Sequence, residues 1–130
     1  MTLQVSDIVV QPTLDLGGVV VHSGQARIGR AGRPMIKRGE PPAPFSFWVP
    51  DAAALTDAAP APETIVVAAW LMQCEASNNG NLMGVEQLAA RYEPDPRGGD
   101  SRWLLVSGTA HAGFSITIGY RVTLGGVVSS

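Results

Sequence analysis

One cysteine, two histidines and eleven carboxylates are the groups with which this 130-residue chain could do covalent, acid–base or metal chemistry. A nucleophilic thiolate needs a neighbouring base and surroundings that lower its pKa. Cys74 follows the apolar run Ile65 to Met72, where an unpaired cysteine acts as a small inert hydrophobe. His111 lies in Gly108-Thr109-Ala110-His111-Ala112-Gly113, read as a flexible link carrying a surface histidine. No Gly-x-Ser-x-Gly elbow occurs. The sequence therefore predicts no catalytic residues and no enzyme.

Metal and phosphate chemistry are equally thin. His22 and His111 are far apart and lack a carboxylate at ligand spacing. Asp95 and Asp100, with the carbonyls of residues 94–101, are the one arrangement with oxygens enough to suggest calcium. Gly24 and Gly29 have the glycine spacing of a phosphate loop, but Arg30-Ala31 stands where Lys-Ser/Thr is required. The expectation is no metal and no cofactor.

What remains is binding. Arg27, Arg30, Arg33, Lys37 and Arg38 fall within twelve residues that contain no acid. Outside them the chain carries four basic and eleven acidic residues, a net −7. A cationic segment on an acidic body suits head-to-tail contacts between copies, or docking on an acidic partner. Nucleic acid is disfavoured, because the chain's net charge is −2 and residues 22–44 hold no aromatic to stack on a base. A second candidate is a sugar site. Trp48 and Trp103, near strand ends, could stack on a glycan, with Asn78, Asn79 and Asn81 supplying amides. Trp70 and Tyr120, inside apolar strand patterns, read as core.

The elements that would position these residues are strands. Phe114, Ile116, Ile118, Tyr120, Val122 and Leu124 alternate with mostly polar neighbours, as in a half-buried antiparallel strand. Further strands are expected at 3–11, 19–22, 45–49, 64–74, 82–93 and 102–107. The 82–93 segment also has helical spacing; the Asn79-Gly80 turn before it favours a returning strand. Residues 23–44 read as a basic, Gly/Pro-rich excursion, with short strands only at 26–28 and 35–36. Residues 51–62 and 94–100 read as loops.

The pattern predicts one all-β domain over residues 1–130, a β-sandwich or jelly roll of seven or eight antiparallel strands. Forty-five per cent apolar residues exclude a disordered chain. Fifteen per cent charged residues, against about 25% in ordinary domains, leave apolar surface for contacts. The start lacks the basic and apolar regions of a signal peptide, and no apolar run is long enough to cross a bilayer. A cytoplasmic origin is expected, with release as part of a virion, by lysis or by another export route as the ways out. The functional expectation is a non-enzymatic subunit of a protein assembly, a homo-oligomer of the kind that decorates a viral or phage capsid. A small lectin-like module is the alternative.

Overall fold

The computed structural model describes residues 2–30, 32–37, 39–56, 60–75 and 83–126. Nine strands and no helix are found among them: β1 (Val5–Val10), β2 (Leu14–Asp15), β3 (Val19–Ile28), β4 (Ala43–Trp48), β5 (Leu55–Thr56), β6 (Thr64–Cys74), β7 (Gly84–Pro94), β8 (Ser101–His111) and β9 (Ile116–Gly125). They form two antiparallel sheets. Sheet A runs β1-β3-β9-β6, with β2 beside β3; sheet B has β8 between β7 on one side and β4 and β5 on the other. The fold is an all-β sandwich.

Alternation decides the layers. Ile116, Ile118, Tyr120, Val122 and Leu124 point inward from β9. Leu104, Val106 and Ala110 do so from β8, and Ala43, Phe45 and Phe47 from β4. Phe47 meets Tyr120 edge-to-face at 5.0 Å between centroids, joining one sheet to the other. Gly24 lies opposite Tyr120, where a Cβ would run into the tyrosine ring and the Val9 carbonyl. The open sides of the sandwich approach each other: Leu3 N donates to Pro44 O at 2.8 Å on one side, and β6 lies beside β7 on the other.

Three strands carry a one-residue register shift: β1 between Ser6 and Val9, β6 between Leu71 and Gln73, and β7 between Glu86 and Ala89. Two of these bulges hold a non-glycine residue at positive φ, Asp7 at 51° and Gln87 at 54°. All three strands are sheet edges, and bulges twist an edge away from pairing with a foreign strand.

Several expectations change. The basic excursion does not begin at residue 23, because β3 continues to Ile28 and pairs with β9 throughout. Its alternation was concealed by small and polar residues, Ser23 to Ala26, on both faces. Residues 35–36 form no strand, although Met35 N and Ile36 N donate to Gly113 O and Ala112 O. β6 is half-covered rather than buried, since it ends sheet A. Ile65, Val67 and Ala69 face the core, whereas Trp70 is 44% exposed. His111 ends β8 instead of lying in a link, and Cys74 is exposed. The returning strand after residue 82 is present as β7. The turn expected at Asn79-Gly80 lies outside the described residues.

Two buried polar groups give tests. Among the described residues the Tyr120 hydroxyl has no hydrogen-bond partner, so it is desolvated without compensation. Tyr120→Phe should raise the unfolding free energy by about 1 kcal/mol in urea titrations, with the strand spectrum unchanged. His22 is buried, and desolvation holds its pKa below the ordinary 6.5, against a smaller opposing pull from Asp51. Its neutral form is the native one. Stability is therefore full above pH 6.5 and declines as pH falls below it. Melting temperatures measured from neutral to mildly acidic pH should show this slope, and His22→Gln should flatten it.

Candidate functional site

The sandwich has two distinct ends. At the loop end lie the 29–42 connection, the β8–β9 link and the start of β1; at the turn end lie the β2–β3 and β7–β8 turns. The sequence-predicted residues divide between them.

The basic residues gather at the loop end. Arg27 is on the outer surface of β3, 3.5 Å from Asp7 in the β1 bulge. Arg30, Arg33 and Lys37 are exposed on the connection; Arg38 lies outside the described residues. The connection is anchored. Glu75 Oε1 accepts from Gly32 N and from Ser115 Oγ, each at 2.8 Å. These bonds, led by the Gly32 amide and helped by Arg27, hold the Glu75 carboxyl below the ordinary carboxylate range. Gly29, at φ +88°, makes the turn out of β3, and a Cβ there would collide with Met35. Arg27, Cys74, Glu75, Ser115 and Thr117 line a hollow of about 100 Å³, which His111 does not reach.

The two tryptophans converge at the turn end. Trp48 points outward because Phe45 and Phe47 take the inward positions of β4. It pairs with Leu105, two residues from Trp103 on β8. Together with Val49, Pro50, Asp95, Pro96 and Arg97 they line one cleft of about 370 Å³. Asn78, Asn79 and Asn81, expected to join them, lie outside the described residues.

Sequence reasoning missed the polar frame of this cleft. Asp95 Oδ1 accepts from Arg97 N at 2.9 Å and Arg97 Nε at 3.2 Å. Its Oδ2 accepts from Arg97 Nη2 at 3.3 Å and Trp103 Nε1 at 3.1 Å. Those four bonds fill the carboxylate's acceptor sites, so Asp95 braces the turn and has no lone pair left for a cation. Arg97, followed by the Trp103 contact, keeps the Asp95 carboxyl below its ordinary range; Asp95 raises Arg97 in return. Gly98 and Gly99, at φ +92° and +101°, complete the turn. Asp-x-Arg before Gly-Gly is the local signal that could have revealed it.

A third surface was also missed. Leu14, Val21, Thr123 and Val66 form one continuous cross-strand row on the outside of sheet A. Leu14 is 54% and Val66 61% exposed. Trp70 lies further along β6, its ring laid over Gly119, where any Cβ would strike the indole.

No family model, curated protein or solved structure matches this chain, so these surfaces are interpreted from their own chemistry. No helix among the described residues is long and apolar enough to cross a membrane.

The Glu75 anchor is directly testable. Its low pKa means the bond to Gly32 persists at neutral pH and is lost as pH falls through a midpoint below 4.5. The Gly32 amide resonance should report that midpoint, and Glu75→Gln should abolish the titration and accelerate Gly32 hydrogen exchange.

Proposed function

We propose that this protein is a structural subunit, assembling with copies of itself and with an acidic scaffold, of the kind that decorates a viral or phage capsid. The observation that carries the reading is the projecting basic connection: at the loop end Asp7 is paired with Arg27 and Glu75 is bonded to Gly32 and Ser115, and three cations there outnumber the exposed Glu40 and Glu86. Arg30, Arg33 and Lys37 project at the loop end. Asp15, Asp51, Glu63 and Asp100 are exposed at the turn end, next to β2–β3, after β4, before β6 and before β8. A basic end meeting the acidic end of the next copy makes a heterologous contact. Such contacts close into rings or extend along a surface.

The apolar row Leu14-Val21-Thr123-Val66 supports a lateral contact, because exposed apolar surface marks interaction sites. The bulged edges of β1, β6 and β7 favour contact through faces and ends over strand addition. A subunit of this type needs no catalytic group or cofactor. It would be made in the cytoplasm and leave the cell as part of a particle.

Static light scattering tests the reading. At low salt the mass should be a multiple of the 13.6 kDa chain, and it should fall as ionic strength rises to about 0.5 M, where the Debye length is only about 4 Å. Arg30→Glu combined with Arg33→Glu and Lys37→Glu should dissociate the oligomer at low salt, leaving circular dichroism unchanged. Val66→Lys should weaken association without altering its salt dependence. A salt-insensitive monomer, or a charge-reversed variant that still associates, overturns the mechanism.

A further inference from the structure

The geometry points to the Trp48–Trp103 cleft as a binding site for a neutral pyranose sugar, held by its apolar ring face on the indoles and by two adjacent hydroxyls on Arg97. The site is on sheet B and its β7–β8 turn, so this inference does not rest on the assembly reading.

Three features select the ligand class. The cleft is about 370 Å³, within the range of small-molecule sites, and its surface is indole and proline with a single polar frame. Aromatic faces of that kind accept the C–H face of a pyranose ring. Second, the side chain of Arg97 is 82% exposed, yet its guanidinium is fixed in place because Nε and Nη2 both bind Asp95. The Nη1 amino group and the remaining Nη2 proton are left as a rigid donor pair at the rim. Two neighbouring oxygens at fork spacing satisfy such a pair, and vicinal hydroxyls of a sugar supply them.

The third feature is charge. Arg97 and Asp95 form a net-neutral unit, and the Asp95 side chain, 11% exposed, has every acceptor site occupied. An anionic ligand would gain little from a guanidinium already neutralised by a carboxylate. A proline-rich peptide also sits on aromatic grooves, but here only one of the two indole N–H groups, that of Trp48, is left to meet a backbone carbonyl. Trp103 Nε1 is spent on Asp95. Asp95 is accordingly a positioning residue, and Trp48, Trp103 and Arg97 are the contact residues.

The chain contains three tryptophans, and Trp70 is on the outside of sheet A, which makes it an internal control. Calorimetry of the unmodified protein would be run with the methyl glycosides of glucose, galactose and mannose, and with glucuronate and decaproline. In parallel, fluorescence of a Trp70→Phe variant would follow Trp48 and Trp103 alone. At least one neutral glycoside should bind saturably below about 50 mM and shift that emission. Arg97→Ala should weaken binding at least about tenfold with the melting temperature unchanged, as should removing one hydroxyl of the bound pair from the sugar. Asp95→Asn should weaken binding by loosening Arg97, and quantitatively less than Arg97→Ala. The inference is overturned by the absence of saturable binding, by binding that Arg97→Ala leaves intact, or by preference for glucuronate or decaproline.

Discussion

The ladder between β3 and β9, ten residue pairs without a register shift, is the constraint on which the other elements depend. It places Tyr120 opposite Gly24 and points His22, Ala26 and Ile28 inward with Ile118 and Val122. A slip of one residue would exchange every inward side chain for an outward one. It also separates the two ends of the molecule, since β3 leaves the ladder into the basic connection at one end and enters it from the Gly17-Gly18 turn at the other. The placement of the basic connection thus follows from strand direction. The bulges are confined to outer strands, where a local twist disturbs no second partner.

Much of this frame was legible in the sequence, and the reasons are specific. β9 announces itself because its inward residues are large and its outward ones mostly polar. β7 could be recognised despite helical spacing because the segment follows the turn-favouring dipeptide Asn79-Gly80. β3 beyond His22 was hidden: Gly24 and Ala26 face a core crowded by Tyr120, so the inward positions are small and carry no hydrophobic signal. Trp70 was misread for a complementary reason. An apolar residue on an edge strand has the same composition whether its outer face is covered or bare, and only the sheet order distinguishes them.

The candidate sites show the same division. The basic cluster needed only counting, whereas its anchoring by Glu75, 43 residues from Gly32, needed the fold. That Trp48 and Trp103 are near strand ends was visible, but their common cleft follows from the Trp48–Leu105 register. Asp95 was singled out for its oxygens. In the fold those oxygens organise the turn's own arginine and indole, partners only two and eight residues away that the local Asp-x-Arg spacing foreshadows.

The contact between Trp70 and Gly119 ties two positions, 49 residues apart, into one packing unit. The indole covers a stretch of β9 backbone that glycine leaves bare, and it occupies the space a Cβ at 119 would need. A side chain at 119 displaces the ring, and a small residue at 70 uncovers the β9 backbone beside the edge of sheet A. The energetic effects of substitutions at these two positions are therefore coupled rather than additive.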